Sequence, residues 1–128
     1  MKRNARGLAL AFPAADTIIS SPLPRCIQTA EWVSRAYGGR IGLRAHDALR
    51  PESGTDEVRI LLSELIVSRV ILVGHEPNLT EILRELVKIS GHPSTELKKG
   101  GAYGIRITED GAATLDWLLP PRLLRSLR

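Results

Sequence analysis

The sequence predicts an α/β domain in which helices cover both faces of a mostly parallel sheet. Short apolar segments suited to buried strands alternate with longer segments that repeat apolar residues at helical spacing. Hydrophobic residues make up 43% of the chain but aromatic residues only 4%, so Leu, Ile, Val and Ala must build the core, as in many layered α/β proteins. The length of 128 residues is typical of one domain, which we expect to span residues 1–128.

The N-terminal half is predicted to alternate helices with two strands. Pro24 suits a first helical position because its missing N–H is not needed there, and Gly38 with Gly39 is a typical helix end. The predicted elements are a helix over Lys2–Phe12, a strand over Thr17–Ser20, a helix from Pro24 to about Tyr37, a strand over Ile41–Ala45 and an irregular segment over His46–Gly54.

The C-terminal half is predicted to contain a strand between two helices, followed by a hairpin. Thr55 is expected to cap a helix with an apolar stripe at helical spacing, formed by Val58, Leu61, Leu62, Leu65 and Ile66. The other predicted elements are a buried strand over Val70–Val73, a helix that follows Pro77 and ends near Gly91, and strands over Tyr103–Thr108 and Ala113–Leu118 around the turn Glu109-Asp110-Gly111.

Composition and motifs argue against nucleic acid, membrane and metal as partners. The formal net charge is +4, but the basic residues are spread along the chain and no aromatic side chains interleave with them, as stacking on single strands requires. No apolar stretch approaches the length of a membrane span. Cys26 is the single cysteine, so we expect a packing residue in a cytoplasmic protein. His75 is not part of a metalloprotease motif, since Leu79 stands at the second histidine position.

Two strand-to-helix junctions carry the residues best suited to chemistry. They are Ser20-Ser21-Pro22-Leu23-Pro24-Arg25 and Val73-Gly74-His75-Glu76-Pro77. Ligands of open α/β sheets bind at the carboxyl ends of strands, where helix N-termini favour anions and an arginine fork matches phosphate oxygens. The junctions therefore predict an anion site. A plainer interpretation of each residue is also open, with Arg25 as a surface cation and His75 as a turn residue.

The two junctions also carry a family resemblance. The segments Ser20–Arg25 and Val73–Asn78, together with Gln28-Thr29-Ala30, resemble the histidine phosphatase superfamily, and most closely its short SixA-like phosphohistidine phosphatases. The similarity extends as far as Leu115–Pro120. It implies that Arg25 binds phosphate, that His75 is the second active-site histidine and contacts phosphate, and that Ser21 shapes or contacts the pocket. It implies no cofactor.

The superfamily's Arg-His-Gly motif, which supplies the nucleophilic histidine and a second arginine, does not occur in the sequence. His46 and His92 do not replace it, because neither stands between an Arg and a Gly. We favour truncation of a longer reading frame, since the rest of the pattern is intact; a degenerate homologue is the other explanation. The chain as given is expected to be inactive, and the missing strand is expected to lie beside Thr17–Ser20 and Val70–Val73.

The segment Leu49–Gly54 bears on the substrate. Ester-hydrolysing branches of the superfamily carry a general acid here, but the expected acidic position is Pro51, and Glu52 beside it is open to interpretation as a plain loop residue. A phosphohistidine imidazole leaves more easily than an alkoxide, which favours P–N substrates. The expected partners are a phosphohistidine-bearing protein or a small phosphorylated substrate, and inorganic phosphate. The alternative is a non-catalytic phosphate- or phosphoprotein-binding domain.

Overall fold

Helices and strands alternate along the chain in the predicted order. The computed structural model describes residues 2–65, 69–87, 102–107 and 113–119. The predicted stripe residue Ile66 and the predicted helix end at Gly91 lie outside these ranges. The elements within them are α1 (Lys2–Ala11), β1 (Thr17–Ser20), α2 (Pro24–Ala36), β2 (Gly42–Ala45), a short 3₁₀ helix (Asp47–Leu49), α3 (Thr55–Glu64), β3 (Val70–Val73), α4 (Asn78–Val87), β4 (Ala102–Ile107) and β5 (Ala113–Leu119).

Strands β1, β2 and β3 form a parallel sheet with β1 in the centre. Thr17 pairs with Gly42 at the start of β2, and Ser20 pairs with Val73 at the carboxyl end of β3. Strands β4 and β5 form a separate antiparallel pair. The α/β class, the parallel sheet and the antiparallel C-terminal strands are therefore confirmed, while the predicted turn at residues 109–111 lies outside the described residues.

Helices cover both faces of the sheet because neighbouring residues of a strand point to opposite sides. Ile18 packs in a cluster with α1 and α2 that includes Ala30. Ile19 packs on the other face, with Val58 of α3 and Ile82 of α4. Both isoleucines are 0% exposed, and burying each contributes about 1.5–3 kcal/mol to folding. The two clusters hold the carboxyl end of β1 in a fixed position.

The helix ends confirm one prediction and correct another. Helix α2 begins at Pro24 as expected, and Gly38 (φ 75°) and Gly39 (φ 69°) follow its end in the left-handed region that glycine enters without strain. The prediction that Thr55 caps α3 is wrong. Gly54 is the N-cap, with extended backbone and no side-chain cap, and Thr55 is the first helical residue and is buried.

The pairing of β1 also corrects the expected place of a further strand. β1 is bonded to a neighbour on each edge, so the prediction that it borders a missing strand is wrong. Among the strands that the structure describes, β3 pairs with β1 alone.

Candidate functional site

The carboxyl ends of β1 and β3 bring the two predicted junctions together. Ser20 and Val73 are paired, and the Ser21 N–H donates to the Val73 carbonyl at 2.8 Å. Ser21 and Gly74 therefore leave the sheet at the same edge. The segment after β2 joins them, since the His46 N–H donates to the Ser20 carbonyl at 2.8 Å.

Ser21 and His75 form the central polar contact at this edge. Ser21 Oγ lies 2.8 Å from His75 Nε2, and the Leu23 N–H donates to Ser21 Oγ at 3.3 Å. Ser21 is 0% exposed, whereas His75 is only partly buried. The two roles that the resemblance implies for Ser21, shaping the pocket and contacting phosphate, stay predictions.

Cys26 packs against the same histidine. Its Sγ lies 3.5 Å from His75 Nε2, and the thiol donates to the Gly74 carbonyl at 3.3 Å. Burial raises the pKa of the Cys26 thiol, and a hydrogen bond with Ser21 opposes that rise in part. The side chain is thus a neutral packing group, as expected from the sequence, but its place beside His75 was not predicted. The only sequence feature that indicated this contact is the position of Cys26 directly after the predicted phosphate-binding arginine.

Arg25 lies in the first turn of α2. The side chain is exposed, and no residue in the described part of the chain forms a hydrogen bond or ion pair with its guanidinium. Few amides of the α2 N-terminus remain for an anion, because Pro24 has no N–H and the Cys26 N–H donates to the Leu23 carbonyl at 3.0 Å. The guanidinium is therefore the group at this junction best suited to hold an anion. No hydrogen bond joins it to His75.

A shallow depression lies beside His75, and sequence reasoning missed the arginine that lines it. Arg50 Nε donates to the Asp47 carboxylate at 2.8 Å, and its Nη1 lies 4.0 Å from a Glu52 carboxylate oxygen. These carboxylates satisfy much of the charge of Arg50, which makes it a weaker anion ligand than Arg25. The residues that line the depression include Leu49, Arg50, Ser53, Gly74, His75 and Asn78.

The loop that carries Glu52 is tied to the His75 junction by Asn78. The Asn78 side-chain amide donates to the Pro51 carbonyl at 2.6 Å and to the Ser53 carbonyl at 3.3 Å. Glu52 itself is exposed and does not line the depression. This placement supports the interpretation of Glu52 as a loop residue, and it gives Asn78 a role that the sequence pattern did not reveal.

Candidate metal ligands and membrane-spanning helices are both absent from the described ranges. No group of three or more His, Cys, Asp or Glu side chains there is arranged to hold a metal ion. None of the helices described is long and apolar enough to cross a bilayer.

Three of the solved structures similar to this chain are described as phosphatases. The protein histidine phosphatase SixA, in complex with tungstate, matches with a TM-score of 0.81 over 96% of this chain and 80% of its own, at 20% identity. A putative phosphohistidine phosphatase SixA from Agrobacterium tumefaciens gives 0.76 over 94% of this chain and 79% of its own, at 22% identity. A mycobacterial glucosyl-3-phosphoglycerate phosphatase in complex with VO3 gives 0.70, over 93% and 83%, at 16% identity.

These similarities establish the fold. The chain has the fold of the SixA histidine phosphatases, so the resemblance inferred from the two junctions is confirmed at the level of fold. No protein-family model matches the sequence, and no curated protein matches it significantly.

Proposed function

We propose that this chain supplies the Arg25 and His75 side of the phosphoryl site of a SixA-like phosphohistidine phosphatase. The observation that carries the proposal is the contact between Ser21 and His75 at the carboxyl ends of β1 and β3, directly before the helix that bears Arg25. The oxyanions in two structures of the same fold, tungstate and VO3, resemble phosphate in shape and charge, which supports a phosphoryl ligand here.

The chemistry assigned to each residue follows from its side chain. The planar Arg25 guanidinium binds two oxygens of the phosphoryl group at once, and His75 donates a hydrogen bond to a third oxygen or a proton to the leaving imidazole. In the complete reaction a histidine nitrogen attacks phosphorus while the substrate's P–N bond breaks. Water then attacks the new phosphoimidazole and releases inorganic phosphate, which regenerates the histidine. The nucleophile of the superfamily's Arg-His-Gly motif is not among the 128 residues.

The substrate class is a phosphohistidine, carried by a phosphorelay-type protein or a small phosphorylated molecule. An alkoxide leaving group needs a positioned general acid, whereas an imidazole takes its proton more readily. Glu52 is exposed and lies within 4.0 Å of Arg50 instead of beside His75, which favours the P–N substrate.

The second candidate is a domain that binds phosphate or a phosphoprotein without turnover. The hydrogen bond of His46 favours this binding domain. Its Nδ1 accepts the Ala48 N–H at 3.0 Å and caps the short 3₁₀ helix, so His46 does not serve as a second histidine of the site. Binding then needs Arg25 and His75 but no nucleophile.

The deciding experiment measures phosphate release from a phosphohistidine peptide. The chain as given is compared with a version extended at its N-terminus by a segment from a SixA-like protein that carries Arg-His-Gly. We expect oxyanion binding without turnover in the first and turnover in the second. In the extended protein, His75→Ala should lower turnover by about a hundred- to ten-thousandfold, the usual loss for a proton-transfer group.

His46→Asn is the matched control for His75→Ala, because asparagine keeps an acceptor for the Ala48 N–H and His46 has no assigned role in the site. Its turnover should equal that of the parent. The phosphatase proposal fails if the extended protein binds phosphate but has no activity, and that same result supports the binding domain. Both candidates fail if neither protein binds phosphate or tungstate.

A further inference from the structure

We propose that Ser21 is a positioning residue that fixes neutral His75 in the tautomer with its proton on Nδ1. In this state Nε2 accepts the Ser21 hydroxyl proton inside the protein, and Nδ1–H is the donor available to a phosphoryl oxygen. The tautomer follows from the hydrogen-bond geometry alone. Its use toward phosphate rests on the proposed function.

The donors and acceptors around Ser21 limit where its hydroxyl proton can go. A serine hydroxyl has one proton to donate and two lone pairs. The Leu23 N–H occupies one lone pair at 3.3 Å, and the hydroxyl is 0% exposed, so its proton needs a protein acceptor. His75 Nε2, 2.8 Å away, is the strongest acceptor that the described residues provide, and the Cys26 sulfur is a weaker one.

The two neutral tautomers of His75 differ in the hydrogen bonds that they allow Ser21 to form. A proton on Nε2 would point at Ser21 Oγ, and among the described groups the buried hydroxyl proton would then have only the Cys26 sulfur, a weak acceptor, as its partner. A proton on Nδ1 leaves the Nε2 lone pair free for the hydroxyl, so every group is satisfied. Because an imidazole nitrogen is a stronger acceptor than a thiol sulfur, the second arrangement is favoured.

Cys26 also lies close to both ring nitrogens of His75. Its Sγ lies 3.5 Å from Nε2 and 3.8 Å from Nδ1, but the thiol proton has a partner in the Gly74 carbonyl at 3.3 Å. A thiol is also a weaker donor than a hydroxyl. Ser21 is therefore the group that determines the tautomer, and Cys26 packs beside the ring.

The test uses nitrogen NMR of the folded chain labelled with ¹⁵N-histidine, at about pH 8, where imidazoles are ordinarily neutral. The spectrum distinguishes protonated from unprotonated ring nitrogens. We expect His75 to be protonated on Nδ1. His46 is an internal reference of the opposite kind, because its Nδ1 accepts the Ala48 N–H at 3.0 Å and its proton is therefore expected on Nε2.

Two variants then separate the effect of the hydroxyl from general damage to the junction. Ser21→Ala should shift the His75 proton to Nε2 or give a mixture of tautomers. Ser20→Ala is the matched control: Ser20 is equally buried, but its hydroxyl donates to the Ser21 carbonyl at 2.8 Å. It should leave the His75 signals unchanged. The assignment would be overturned if wild-type His75 were protonated on Nε2, or if folded Ser21→Ala kept the wild-type tautomer. The wild-type spectrum alone decides the assignment if the variant does not fold.

A tungstate titration of the same samples tests the link to the phosphoryl site. Ser21→Ala should weaken binding about three- to tenfold, the effect of one misplaced hydrogen-bond donor, and Ser20→Ala should not. A tautomer change without any loss of affinity would contradict the positioning role. If the wild-type chain binds no oxyanion, the proposed function fails instead, while the tautomer measurement stands independently.

Discussion

Arg25→Lys should weaken oxyanion binding about tenfold while leaving the fold intact. The exchange keeps a positive charge at the start of α2 but replaces the planar fork by a single ammonium. An arginine binds two phosphate oxygens with parallel N–H bonds in a fixed geometry, whereas lysine binds as a point charge. The loss therefore measures the second, directed hydrogen bond and not the charge.

The expected loss of affinity depends on the exposure of Arg25 to solvent. A hydrogen bond to a charged group contributes about 1.5–3 kcal/mol, and solvent screening at an exposed site favours the lower end of that range. A loss of about 1.4 kcal/mol corresponds to a tenfold change in the dissociation constant. Because the guanidinium has no partner among the described residues, the exchange removes no intramolecular bond, and the unfolding free energy should change little.

The assay is a titration with tungstate and with phosphate, followed by the amide signals of Ser21 and Gly74. Arg35→Lys is the matched control, since Arg35 lies in the last turn of the same helix, 5.0 Å from the centre of the Trp32 ring. That exchange should leave both dissociation constants unchanged. Equal affinities for wild type and Arg25→Lys would refute the reasoning and make Arg25 a surface cation.

Three further predictions concern the surroundings of the site. Glu52→Gln in the Arg-His-Gly-extended protein should change kcat on phosphohistidine less than twofold, because the exposed carboxylate does not line the depression; a loss of about a hundredfold would restore it as a general acid. Asn78→Ala removes the amide that binds the Pro51 carbonyl and should cost about 1–2 kcal/mol of unfolding free energy, with faster hydrogen exchange in that loop; unchanged exchange would contradict the tether. Burial raises the pKa of Tyr37 from 10.0 to about 12, so the folded protein keeps the phenol proton to a higher pH than the unfolded chain. The unfolding free energy should therefore fall between pH 10 and 12, and it should fall less steeply in Tyr37→Phe. Urea titrations that give the two proteins the same dependence of unfolding free energy on pH would contradict this.

The local elements were predictable because their signals are local. The bounds of β1 and β3 and the start of α2 at Pro24 agree with the structure, since an apolar run or a proline limits the backbone within a few residues. The cap of α3 was not predictable in the same way. Gly54 and Thr55 are adjacent, and the choice between them depends on which residue first takes helical dihedral angles.

The assembly of the site was only half predictable. The residue types at each junction indicated an anion site, but the contact between Ser21 and His75 joins positions 54 residues apart. It depends on β1 and β3 being neighbours in register, which tertiary packing decides. The contacts of Cys26 depend on the same pairing, and those of Asn78 depend also on the pairing of β1 with β2, so neither motif contained them.

The position of Arg25 is better explained by a ligand than by folding. A cation in the first turn of a helix opposes the helix dipole at a cost of about 0.3–1 kcal/mol, and the first turn of α2 has no acidic residue to offset it. No ion pair offsets this cost, because no described side chain pairs with Arg25. A bound oxyanion reverses this balance, since it attracts both the guanidinium and the positive end of the helix. The unfavourable placement in the free protein therefore supports the proposal that Arg25 binds an oxyanion at this junction.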